Sequence, residues 1–429
     1  MQKIYSLIGN GLIISLCLSL SYPANSAKFE FQQFVFQACN AAIGDLQTRC
    51  DDSNNSSDDS GNVARRGNLS GDSEDSLIPT QSLTNTTNAL AQTRARIKAL
   101  MEKARERANA EQTGILDEAT GTRAITQAFQ QTGYSLLLQA EYGDLERDES
   151  FLERGYETES YLFKIGADYR VTDDFLVGAL IGYDRYDQTF NADLPGVNFV
   201  PQANEGDSEV SNLSLNLFAT KNFADTGYLE AQLSYIYSDY EFNRSVVFQE
   251  STRTKPLVDV NTDADTNGHQ WALSFGGGLE NPMGPWTAGL YGRADLQKVV
   301  IDSYSESGGN GFAMSFDKES NTEVSGTLGV RISRAMNQGF GVLVPQAYIE
   351  HVHAFKADAR TTVSSLIEDT AGTRFSVTGD DPDENYQNAG VSLMAILPDG
   401  VNAFIGYSTQ LNNRYVDYYR INAGLRVEL

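Results

Sequence analysis

Three cysteines, three histidines, two tryptophans and ten prolines are all that this 429-residue chain contains of those types. Beyond residue 22 no apolar run approaches the ~20 residues that a membrane-crossing helix needs, so a helical membrane protein is excluded. Positive charge is also scarce. Lys and Arg number 32 against 57 Asp and Glu, a net charge of −25 that argues against a nucleic-acid partner. His269, His351 and His353 all lie beyond residue 268, so no Ser/His/Asp triad can form in the N-terminal part. No nucleophile, base and orienter occur at recognisable spacing. Catalytic, cofactor-binding and metal-binding residues are therefore not expected. The 42 Phe and Tyr and the 37 scattered Gly favour β structure.

The first residues read as an address. Lys3 is a positive n-region, the stretch from Ile4 to Leu20 is mostly apolar, and Ala24, Ser26 and Ala27 are small residues suited to cleavage. A secretory signal peptide over residues 1–26 is expected. Export to an oxidising compartment leaves Cys39 and Cys50 as the two cysteines of the mature chain, and a disulfide between them is the favoured pairing. Residues 51–88 are rich in Asp, Ser, Asn, Thr and Gly and bury too little apolar surface to offset their ordering entropy, so disorder is expected there. The residues from Phe29 to Phe36 alternate like a lone strand. From Ala89 to Ala110 the chain carries helix formers without Gly or Pro, behind the cap residues Thr86, Thr87 and Asn88. Arg94, Arg96, Lys98, Lys103, Arg105 and Arg107 outnumber Glu102 and Glu106, so this helix is basic inside an acidic protein.

From residue 133 the apolar pattern has a period of two. Phe175, Val177, Ala179, Ile181 and Tyr183 share one face against Asp184, and Leu229, Ala231, Leu233, Tyr235 and Tyr237 oppose Glu230, Gln232 and Ser234. Alternation alone fits a soluble sandwich as well as a membrane barrel. The connections discriminate. About twelve strands are expected, at 133–143, 154–170, 174–189, 208–222, 226–243, 266–281, 285–301, 316–335, 339–357, 384–397, 400–411 and 414–429. Tight turns alternate with long polar loops near 144–153, 190–207, 244–265, 302–315 and 358–383, with Asn412-Asn413 as the short exception. Sorting of loop lengths to opposite ends is a property of outer-membrane barrels.

The last strand, with Asn422, Gly424, Val427 and Leu429, looks like the signal that ends such barrels and is read by their assembly machinery; Leu429 departs from the usual aromatic. Phe163-Lys164-Ile165-Gly166-Ala167-Asp168-Tyr169-Arg170 with the following Asp174-Phe175-Leu176-Val177-Gly178-Ala179, then Tyr235-Ile236-Tyr237-Ser238-Asp239-Tyr240 and Pro345-Gln346-Ala347-Tyr348, are in order similar to segments of an autotransporter translocator domain of the type V secretion pathway. The resemblance covers roughly residues 87–429. It implies an all-β fold: a C-terminal transmembrane antiparallel β-barrel of about twelve strands, an α-helix threading the lumen, and a short, largely disordered N-terminal segment. The domains expected are a signal peptide (1–26), a low-complexity passenger segment (27–86), a linker with the pore helix (87–132) and the barrel (133–429).

Physical size agrees with a pore helix: some 22 residues at ~1.5 Å each span about 33 Å. Its six cations would face lumenal carboxylates, Glu230 and Glu428 among them. The function expected is delivery of the chain's own N-terminal segment toward the surface of a Gram-negative cell, without enzymatic activity; a plugged passive pore and a small barrel-anchored adhesin are the alternatives. The partners expected are outer-membrane lipids and lipopolysaccharide, the barrel-assembly machinery and periplasmic chaperones, with a monomeric barrel, no nucleic acid and no cofactor. His351 and His353 share a strand face that suits metal, but amphipathic filling near a membrane interface is the favoured role. The acidic loop residues Glu205, Asp207, Glu209, Asp380, Asp381, Asp383 and Glu384 read as solvated.

Overall fold

The structure is a computed structural model that describes residue 34, residues 37–54 and residues 133–429, apart from 151–154, 173, 192–198, 202–205, 224–225 and 251–257. Twelve long antiparallel strands dominate it: β1 (Tyr134–Arg147), β2 (Tyr156–Thr172), β3 (Phe175–Phe190), β4 (Asp207–Phe223), β5 (Gly227–Glu250), β6 (Val258–Met283), β7 (Trp286–Ile301), β8 (Glu319–Arg334), β9 (Gly341–Ala357), β10 (Asn385–Ile396), β11 (Val401–Leu411) and β12 (Val416–Glu428). Each pairs with its sequence neighbours, and β12 pairs with β1 from Ser135↔Glu428 to Arg147↔Val416, so the sheet closes on itself. Closure leaves no barrel edge exposed.

The alternation read from the sequence is inverted relative to a water-soluble protein. Ile181, Leu213, Phe275, Leu328 and Ile405 are each more than half exposed, while Lys164, Asp184, Asn216, Gln232 and Gln270 are buried. Apolar outside and polar inside is stable only where the solvent around the barrel is itself apolar. Strands of 11 to 26 residues meet or exceed the ~9–11 that cross a bilayer at a tilt. Exposed aromatic residues gather toward both ends, with Tyr134, Tyr169, Phe223, Trp286 and Phe340 at one and Tyr161, Tyr183, Tyr237, Tyr407 and Tyr419 toward the other.

The ends of the barrel differ. At one, connections are short: β10 reaches β11 through a single 3-10 turn, Pro398–Gly400, and Gly284 adopts φ +63° between β6 and β7. Both Gly133 and Leu429 lie at this end, where the Leu429 N–H donates to the Tyr134 carbonyl. At the other end the connections are long, and two expectations about them need correction. Residues 244–250 and 258–265 are not loop: β5 and β6 continue their ladder through Arg244↔Thr262 out to Phe248↔Val258, which keeps their backbone groups paired beyond the membrane. Nor are 302–315 and 358–383 simply polar loops. They contribute Tyr304–Ser305, Met314–Phe316, Thr361–Leu366 and Phe375–Thr378 to a separate four-stranded sheet.

The N-terminal part also departs from expectation. Phe34, the one described residue of the stretch read as a lone strand, has helical geometry and is buried. A 3-10 turn (Cys39–Ala41) leads to α1 (Gly44–Asn54), and Cys39 and Cys50 form a disulfide with Cα atoms 5.6 Å apart. Residues 51–54, expected to be disordered, complete α1. The expected pore helix and the rest of the Ser/Asp/Asn tract lie outside the described residues.

Candidate functional site in the lumen and over the long-loop mouth

Because every second strand residue points inward, the lumen wall can be read strand by strand. Its middle is a hydrogen-bonded polar surface. Asn216 Nδ2 donates to Ser214 Oγ at 3.2 Å, Ser234 Oγ to Asn216 Oδ1 at 2.8 Å, and Gln270 Nε2 to Gln297 Oε1 at 3.0 Å. Ion pairs tie strands together at longer range. Arg426 on β12 donates through Nε to Asp168 on β2 at 2.6 Å, spanning β1 at the seam where the barrel closes. Arg331 reaches Glu280 at 3.2 Å and the Tyr228 hydroxyl at 3.1 Å, and Tyr291 donates to Glu350 at 2.7 Å. Glu428, expected to face a pore helix, lies 3.3 Å from Arg426.

Glycines, Gly329 and Gly424 among them, make room for this packing. A Cβ at Gly329 would sit 2.4 Å from the Tyr291 ring, and one at Gly424 would sit 2.4 Å from the Phe404 ring and 2.6 Å from the Leu138 carbonyl. Among the described residues, buried lumenal carboxylates are Glu141, Asp168, Asp184, Glu230, Glu280, Asp295 and Glu350, against the buried cations Lys164, Arg331, Arg420 and Arg426 and the partly buried Arg293. Among these described residues, seven carboxylates against five cations leave this part of the wall net acidic.

Over the long-loop mouth sits a cap with its own core. Phe34, Ala38, Leu46 and Cys50 from the N-terminal part pack with Met314, Phe316, Leu366 and Phe375 from the four-stranded sheet. Main-chain bonds run both ways across this contact: the Ile43 N–H donates to the Glu368 carbonyl at 2.9 Å, and the Thr370 N–H to the Ala41 carbonyl at 3.1 Å. The Glu368 carboxylate accepts the Leu46 N–H at 2.6 Å, so a loop side chain caps the first turn of α1. Arg49 lies over the Phe312 ring, 4.6 Å from its centroid, and donates to the Asn310 carbonyl.

The cap is anchored to the rim at widely separated strands. Arg244 on β5 donates to Glu306 at 2.7 Å and to the Phe312 carbonyl at 2.9 Å, while Glu306 also accepts the Met314 N–H. Arg147 at the end of β1 pairs with Asp380 at 2.7 Å. An aromatic stack runs from Phe242 through Tyr304 to Phe316, with centroids 5.2 and 4.6 Å apart, joining the barrel-mouth cluster to the cap core. Loops rooted on β7 to β10 thus reach β5 on one side and β1 on the other, across the opening.

The histidines do not converge. His353 Nδ1 is 2.9 Å from Asn385 Oδ1, whereas His351 contacts Gln387. Among the described residues no group of three or more His, Cys, Asp and Glu is arranged to hold a metal ion. Of the residues singled out from the sequence, Asn422 and Gly424 lie on the lumenal face of β12, and Leu429 is exposed at the short-turn end. Arg94, Arg96, Lys98, Lys103, Arg105 and Arg107 fall outside the described residues. Glu368, Asn310 and Gly311, which shape the cap contact, carry no motif. The signal that was available is the period-two run Phe312-Ala313-Met314-Ser315-Phe316 inside a presumed loop.

A closed twelve-stranded barrel with sorted loops and a net-acidic lumen coincides with a match of residues 136–408 to the model of the autotransporter beta-domain. The chain belongs to the autotransporter β-domain family. It forms an outer-membrane β-barrel of a Gram-negative bacterium. The translocator domain of the autotransporter NalP from Neisseria meningitidis superposes with a TM-score of 0.53 at 16% identity, over 76% of this chain and 98% of that one, which shows a shared fold. Esterase EstA of Pseudomonas aeruginosa and of Pseudomonas putida are each 22% identical over 258 residues, 58% of this chain. The autotransporter chain described here spans about a third (35%) of the length of those curated relatives. Outer-membrane barrels of this kind depend on assembly machinery in general.

Proposed function

We propose that the barrel delivers its own N-terminal segment, residues 27–86, to the cell surface, and that residues 87–132 run back through the lumen as the linker to β1. One observation carries this reading. Residues 38–54 pack on the long-loop cap, whereas Gly133 lies at the short-turn end, which supports a path for the intervening chain from one mouth to the other. The lipid-facing surface is apolar, and a segment as charged as residues 87–110 has its favourable path inside. There Arg94, Arg96, Lys98, Lys103, Arg105 and Arg107 would meet the lumenal carboxylates.

On this reading residues 1–26 are the export signal, the domain boundaries are those expected from the sequence, and the chain acts without catalysis. Its partners are lipid, lipopolysaccharide, periplasmic chaperones and the assembly machinery, which would read Asn422, Gly424, Val427 and Leu429 at the seam strand. The cap argues against a passive channel, since it packs protein across the mouth that solutes would need.

An epitope inserted between Gly61 and Gly71 tests the topology. Antibody binding to intact cells is expected; binding only after the outer membrane is permeabilised removes the reading. The lumenal path is tested separately by reversing Arg94, Arg96, Arg105 and Arg107 to Glu. With residues 34–54 deleted from both the unaltered and the reversed protein, so that the cap is absent from each, higher single-channel conductance in planar bilayers is expected, and unchanged conductance places the linker elsewhere.

A further inference from the structure

The contact between residues 34–54 and the outer loops has the properties of a ligand in a site. Both sides bring apolar side chains that are buried by the contact: Leu46 and Ala38 on the peptide, Met314 and Leu366 on the loops. The main-chain bonds to Glu368 and from Thr370, and the bridge between Ala42 and Asp369, fix the register as an added strand would. The fit is close on both faces. A Cβ at Gly311, which has φ +94°, would stand 2.6 Å from the Leu46 nitrogen, and one at Gly44, with φ +60°, would stand 2.8 Å from a Glu368 carboxylate oxygen.

The receiving surface is itself braced. Asp369 is buried and its carboxylate accepts the N–H groups of Ala371 at 2.9 Å and Thr373 at 2.7 Å, which holds the turn that contacts Ala41. The peptide is braced as well, because the disulfide between Cys39 and Cys50 closes the turn and α1 into one small unit. A ligand and a site that are both ordered before they meet lose little conformational entropy on association.

We infer that loops 302–318 and 358–384 form a binding site for a disulfide-looped peptide, residues 34–54 of this chain, and hold it on the barrel without need of the intervening polypeptide. The passenger segment is then a retained cap rather than a released product. This rests on the reading that residues 27–86 reach the outer surface.

The test uses the full-length protein with a site for a specific protease placed between residues 61 and 71, cut on intact cells and followed by washing. Cleavage with the N-terminal fragment still on the cells is the expected result. Leu46→Asp puts a charge into the shared core, and Gly311→Val fills the space under α1 from the barrel side while leaving the peptide unaltered. Each should shorten the bound lifetime of the cut fragment by ~tenfold or more. Heat-dependent gel migration of the barrel shows in each variant that the strands are folded. Release of the cut fragment from the unaltered protein overturns the inference while leaving surface delivery intact. Absence of any cut on intact cells overturns both, and equal retention in the two variants overturns this assignment of the site.

Discussion

Arg426 holds Asp168 from two strands away, at the one place where the barrel wall joins sequence-distant strands. Removing one partner of a buried pair typically costs about 3–5 kcal/mol. Arg426→Ala is therefore expected to lower the urea midpoint for loss of the folded gel band, and a double-mutant cycle with Asp168→Ala should give a coupling of about 1–3 kcal/mol. Strictly additive effects would show that the two do not act as a pair. Outside the membrane, Lys318 donates to Asp302 at 2.8 Å and holds that carboxyl below its ordinary value of 3.8. A depressed native pKa means that the pair's contribution is complete above the ordinary value and is lost as pH falls through the native one. NMR titration of Asp302 should show the depression, and Lys318→Met should abolish it. The inward placement of Asp184 and Glu230 could be read from alternation, since a strand fixes side-chain direction by parity. The role of Glu368 could not: its partner is the backbone of Leu46, 322 positions away, and no local pattern encodes that distance.

Among the elements, β12 shows how packing constrains sequence. Its Gly424 lies under the Phe404 ring and against the Leu138 carbonyl, so any larger residue must push β11 or β1 away. Gly424→Val is expected to reduce the yield of folded barrel in outer-membrane fractions several-fold; normal yield would mean that the seam tolerates the displacement. Membrane strands were legible because their period of two is enforced by two different solvents, and the strand positions expected from the sequence agree with those observed to within a few residues along most of the wall. The outer connections differ from the expectation for a physical reason. Thr361–Leu366 and Phe375–Thr378 are short and bear many Ser and Thr residues, so they resemble loops until a second loop and an N-terminal helix cover their apolar side. The extension of β5 and β6 was hidden likewise, since past the membrane no lipid face imposes apolar alternation.

In the molecule as a whole, a ladder of twelve mutually paired strands supports a much smaller cap, whose core comprises eight buried residues. Stability should be distributed accordingly, with local opening of the cap requiring far less free energy than opening of the wall. Hydrogen exchange in detergent should find the amides of α1 exchanging well before those at the centre of β4; equal protection would mean that cap and wall open as one unit. The barrel was legible as a whole from its loop lengths, yet docking of the N-terminal part was not. It joins an isolated cysteine-containing helix to loops separated from it by more than 250 residues, and composition marks neither as the other's partner.

That docking also sets a chronology. The partners of Leu46 are supplied by loops hung on β7 through β10, far downstream of it in the chain. Residues 34–54 leave the ribosome more than 240 residues ahead of those loops and thus find their native neighbours only after the later strands have come into register. In each molecule, seating of the amino-terminal knot is a receipt for finished construction.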